Sequence, residues 1–95
     1  MKNRVTLDDQ PRDFILRQPP ELRRALREAL HQVERGVLFP EPLERELDGF
    51  YKLRVNRYRI LLQAVSSKSG PHLRAVFAER RDDVYELFKQ LSGLD

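Results

Sequence analysis

From Glu21 to Arg35 the apolar residues are Leu22, Ala25, Leu26, Ala29, Leu30 and Val33, at steps of three and one. That spacing lays one continuous stripe along a helix, with Arg23, Arg24, Arg27, Glu28 and Gln32 on the outer face. Gly36 follows as a natural C-terminal stop. Upstream, Asp8 and Asp9 before Pro11 predict the start of a shorter helix, with an acidic cap and proline at its first position, running to about Gln18. Pro19-Pro20 ends it, because proline disfavours helical geometry in the residue before it. Residues 3–8 alternate polar and apolar and predict a short strand ahead of this helical hairpin.

Beyond the proline-bearing link Val37–Pro42 and one more expected turn over Leu43–Leu47, the period changes from 3.6 to 2. In Phe50–Asn56, Tyr51, Leu53 and Val55 share one face and Lys52, Arg54 and Asn56 the other. Asn56-Arg57 reads as a tight turn, since Asn tolerates left-handed backbone. Tyr58–Val65 is more uniformly apolar, as a central strand should be. Ser66–His72 reads as a loop, Leu73–Glu79 as a third strand, and Asp82 as the cap of a last helix with the stripe Val84, Leu87, Phe88 and Leu91. The expected fold is α+β, in the order β-α-α-β-β-β-α. Its C-terminal strands form an antiparallel meander, packed against a helical hairpin and a C-terminal helix, with the helices on one face. The first strand is expected to join this sheet through the helical crossover. All 95 residues make one domain.

Charge changes this picture. Residues 1–50 hold nine Lys/Arg and ten Asp/Glu, a sum of −1; residues 51–95 hold nine and five, a sum of +4. Between Gly49 and Ala78 lie six bases (Lys52, Arg54, Arg57, Arg59, Lys68, Arg74) and no acid. Such asymmetry suits an anionic partner, or equally a basic solvated strand surface. If the hairpin turns on two residues, Arg54 faces Arg59 and Lys52 lies on the same face. Like charges directly opposite destabilise a sheet. A phosphate between them relieves the repulsion, and so does splaying into water, but the guanidinium fork fits phosphate oxygens. Arg80 and Arg81 should flank the N-terminus of the last helix, a second anion-friendly position. Tyr85, at the edge of that helix's stripe, either packs as core or presents its ring to a base. His31 and His72 are expected to face solvent, and neither has a partner at metal-ligand spacing. The chain has no cysteine, no apolar run of membrane-spanning length and no apolar signal stretch near its start, which predicts a cytoplasmic protein.

Two segments resemble the RelE/ParE family of toxins from toxin–antitoxin systems. Leu47–Leu61 (LDGFYKLRVNRYRIL) resembles the family's central hairpin, and Arg81-Asp82-Asp83-Val84-Tyr85 resembles its closing motif. The resemblance is closer to the RelE type. It implies a ribosome-dependent endoribonuclease that cleaves messenger RNA through attack by the RNA's own 2′-hydroxyl, without metal or cofactor. It also implies a cognate antitoxin that covers the sheet with a helix or an extended segment. By motif position, Lys52 and Arg54 would activate the 2′-hydroxyl electrostatically and hold phosphate. Arg59 would stabilise the transition state, Arg81 would match the arginine of the closing motif, and Tyr85 would orient substrate. With Arg57 and Arg80, these basic residues form the expected nucleic-acid-binding set. The chain departs from the family at Glu79-Arg80, where an Arg or His often protonates the leaving group. A ParE-like inhibitor of DNA gyrase and a catalytically inactive, antitoxin-binding relative are the alternatives.

Overall fold

The computed structural model describes residues 4–68, 70–80 and 84–93. Strand β1 (Val5–Leu7) leads into helices α1 (Asp9–Leu16) and α2 (Pro20–Glu34). A two-residue strand β2 (Glu41–Pro42) and a single 3-10 turn (Arg45–Leu47) follow. Strands β3 (Phe50–Val55), β4 (Tyr58–Ser67) and β5 (Gly70–Arg80) come next, and helix α3 (Val84–Ser92) is last. The five strands form one sheet in the order β1-β5-β4-β3-β2. β1 runs parallel to β5, as a helical crossover allows, and the other pairs are antiparallel. No helix among the described residues is long and apolar enough to cross a membrane.

The amphipathic stripe of α2 does what its spacing dictates. Leu26, Ala29, Leu30 and Val33 are buried, together with Phe14 and Ile15 of α1, against Leu53, Val55, Ile60, Leu62, Ala75 and Ala78 of the sheet. Each large apolar side chain so enclosed contributes about 1.5–3 kcal/mol. The expectation that all helices share this face is corrected by α3. Val84 and its neighbours Tyr85, Leu87 and Phe88 pack on the opposite face, against Leu61 and Phe77. The physical reason lies in β4: Ile60, Leu61 and Leu62 are all fully buried, so successive side chains on both sides of the strand need a cover. An irregularity in the β4–β5 pairing sets Leu61 opposite Phe77 but Leu62 opposite Ala75, and the extra residue, Val76, also packs on the α3 side.

Ser66–His72 is not a loop. β4 continues to Ser67 and β5 begins at Gly70, whose φ of 103° makes the tight reversal possible. His72 is half-buried rather than solvent-facing, and its Nδ1 is enclosed without a hydrogen-bond partner among the described residues. Pro11 stands third in α1, still within the turn whose N–H groups lack helical partners. Asp8 has the backbone of an N-cap but makes no side-chain cap, because its carboxylate forms a two-pronged bridge to Arg74, both contacts 2.8 Å. The cap expected at Asp82 lies outside the described residues.

Candidate active site

The hairpin turns on two residues, with Asn56 at φ 56°. Val55 pairs with Tyr58, Arg54 with Arg59 and Lys52 with Leu61. Period-2 alternation therefore sets Lys52, Arg54 and Arg59 on one face, the face that α3 partly covers. Phe88 of α3 packs edge-on against Phe50, with ring centroids 5.3 Å apart, and Lys89 reaches Glu46 at 2.8 Å. These contacts hold α3 over the Phe50 end and leave Arg54, at the turn end, exposed.

The three cations have different surroundings. Arg59 is 9% exposed and donates Nη1 to the carbonyls of Asn56 and Tyr58, at 3.1 and 2.9 Å. Its guanidinium is thus turned to the carbonyls at the hairpin end. Lys52 is mostly enclosed, and its Nζ sits 3.3 Å from Glu41 Oε2 and 5.5 Å from the centre of the Tyr85 ring. The pKa of Lys52 is raised, first by attraction to the Tyr85 hydroxyl and then by Glu41, against the opposing effect of burial. The Tyr85 hydroxyl is buried and has no hydrogen-bond partner among the described residues, so its ring, not a hydrogen bond, is the contact that the geometry gives Lys52. Arg54 makes no ion pair among the described residues. Together with Leu38, Phe39, Glu41 and Leu53, Lys52 and Arg54 line an open pocket of about 350 Å³.

This arrangement gives a cation held protonated, an exposed guanidinium and an exposed carboxylate around one cleft. It suits a phosphodiester with a proton to remove beside it. No family model and no curated protein matches the chain. Solved structures do. A chain of the toxin–antitoxin complex RelBE2 from Mycobacterium tuberculosis superposes with a TM-score of 0.68 at 24% identity, over 85% of this chain and 100% of that one. The chain has a RelE/ParE-type toxin fold. A YoeB/ParE toxin from Agrobacterium tumefaciens shares it, with a TM-score of 0.63 at 18% identity, over 86% of this chain and 100% of that one.

On this toxin fold the remaining basic residues separate. Arg80 pairs with Tyr58 and therefore shares the α1–α2 face, away from Lys52 and Arg54. Glu79, paired with Arg59, is on the cation-bearing side, and its Oε1 accepts the Arg80 backbone N–H. Arg57 is exposed at the turn. Arg81 lies outside the described residues. Arg74, one of the six sequence-clustered bases, is neutralised by Asp8, an acid remote in sequence. Two pocket residues escape sequence reasoning: Glu41 and Phe39. Their only sequence signal is a Phe-Pro-Glu-Pro segment ahead of the strands, which reads as a linker.

Proposed function

We propose that the chain is the toxin of a toxin–antitoxin module and acts as a ribosome-dependent endoribonuclease on messenger RNA. The observation that carries this reading is the cleft in which Lys52, Arg54 and Glu41 meet. In the proposed reaction Glu41 takes the proton of the 2′-hydroxyl, and the 2′-oxygen attacks the adjacent phosphorus. The bond from phosphorus to the 5′-oxygen breaks, leaving a 2′,3′-cyclic phosphate and a 5′-hydroxyl protonated from solvent. Lys52 and Arg54 stabilise the extra negative charge on the phosphoryl oxygens. Lys52 does so as a permanent cation, since its raised pKa keeps it charged at neutral pH. Arg59, bound to the turn carbonyls, supports the hairpin and adds positive potential at its end. Tyr85 holds Lys52 in position. Arg57 and Arg81 would extend the grip on the RNA backbone, and an antitoxin would neutralise the toxin by covering this face.

Purified protein incubated with programmed ribosomes and read by primer extension tests the proposal. Discrete cuts are expected, falling by roughly 100-fold or more in Arg54→Ala and Glu41→Gln, the scale of losing one charge-stabilising or proton-accepting group. The second structural relative is named a YoeB/ParE toxin, which keeps gyrase in view as a target. Intact message together with blocked supercoiling would replace the ribonuclease reading with that one.

A further inference from the structure

The most exposed large hydrophobic side chain given by the structure is Phe39, at 77%. Its backbone is not loose. On one side Val37 and Leu38 both donate their N–H groups to the Gln32 carbonyl at the end of α2, at 2.9 and 3.1 Å, and Leu38 packs against the main core. On the other side Glu41 is paired with Lys52 in the sheet. Phe39 is therefore presented from a fixed segment, and its ring has no aromatic neighbour among the described residues. The other phenylalanines given ring contacts, Phe14, Phe50, Phe77 and Phe88, are paired inside the fold. Phe39 also lines the same open cleft as Lys52, Arg54 and Glu41.

An accessible aromatic face beside two cations matches the two halves of a nucleotide. Bases of single-stranded RNA stack on such rings while cations follow the phosphates. We propose that Phe39 is a nucleobase-stacking subsite. It receives the base of a nucleotide whose phosphate is held by Lys52 and Arg54, so the β2–β3 side of the cleft binds the substrate strand as well as cutting it. The inference rests on the ribonuclease reading for its choice of ligand. An apolar side chain of a protein partner is the competing occupant. Basic surroundings favour a nucleotide: Lys52 and Arg54 outnumber Glu41 along the cleft, and among the described residues Arg54 makes no ion pair that an apolar guest would leave in place.

The chain contains no tryptophan, so Phe39→Trp introduces a single indole as reporter. Titration of this variant with a short single-stranded RNA, 2′-O-methylated to prevent cleavage, should quench its fluorescence. The quench should be weaker with an RNA that has one abasic position in each register tested. In anisotropy measurements on labelled RNA, Phe39→Ala should weaken binding roughly five- to a hundredfold. Phe39→Tyr should restore it, and Phe39→Leu, apolar but without a ring, should not. Full affinity in Phe39→Leu overturns the proposal. So does an unquenched indole at RNA concentrations that saturate Arg54-dependent binding, or quenching by an acidic apolar peptide but not by RNA. In those cases Arg54→Ala still weakens RNA binding, and the ribonuclease reading survives. If native protein binds no RNA at all, the stacking proposal fails, and the primer-extension assay on programmed ribosomes decides the ribonuclease reading separately.

Discussion

At the scale of single residues, Tyr85 is the most informative position. Its hydroxyl is buried without a hydrogen-bond partner among the described residues, an arrangement that costs stability on the order of 1–3 kcal/mol. Tyr85→Phe removes that penalty while keeping the ring against Lys52. The variant should therefore unfold at the same or a higher temperature than the native protein and cut message at close to the native rate, because the ring keeps its place beside Lys52. Loss of stability in thermal unfolding would show that the hydroxyl is satisfied in solution. The sign for Lys52 follows from its raised pKa. Its favourable interactions are fully present below the ordinary lysine value of 10.5 and disappear only as pH rises through the higher folded value. Activity profiles should thus show no Lys52 step between pH 6 and about pH 9. Asn56 is a matter of backbone instead. Its φ of 56° suits Asn or Gly, and Asn56→Val should cost roughly 1–2 kcal/mol in urea unfolding, whereas Asn56→Gly should be nearly neutral.

At the scale of elements, side chains finish what short strands begin. β1 pairs with β5 only as far as Leu7 and Ala75. Beyond it the Gln10 amide takes over, donating to the Ala78 carbonyl at 2.8 Å and accepting the Ala78 N–H at 2.7 Å. Ala78 is fully buried, so Gln10→Ala should cost about 1–3 kcal/mol by leaving both groups unpaired, measurable as a lower urea midpoint. On the other face, Glu46 and Lys89 tie α3 to the 3-10 turn. The hydrogen bond from Lys89 holds the Glu46 carboxyl below the usual glutamate range, so this tie is present at neutral pH and is lost as pH falls through that lowered value. The β3–β4 hairpin was legible in sequence because a strict period of 2 meets an Asn at the turn. β2 was not, because two residues carry no period and Pro42 reads as a breaker. The placement of α3 was also hidden. A run such as Ile60-Leu61-Leu62 shows that a strand is buried, but not which element covers each side.

At the scale of the whole molecule, charge is distributed by fold rather than by sequence neighbourhood. The acid-free stretch from Gly49 to Ala78 looks uniformly cationic when read along the chain. In three dimensions Asp8 and Glu41, both from the first half, return to Arg74 and Lys52 and leave Arg54 as the exposed cation at the cleft. The shared face of Lys52, Arg54 and Arg59 was therefore readable from strand parity. The carboxylate that completes the cleft was not, since nothing in a linear pattern shows that the chain before β3 folds back alongside it.

The parallel pairing of β1 with β5 has a temporal consequence. Val5 meets Leu73 across a separation of 68 residues, whereas β3, β4 and β5 meet through adjacent hairpins. Closing the longer loop costs more entropy, so the hairpins should assemble first and β1 should dock after the main barrier is crossed. Val5→Ala should then accelerate unfolding in stopped-flow experiments while barely slowing refolding, and Leu53→Ala should slow refolding. The first strand of the sequence would thus be the last latch of the sheet.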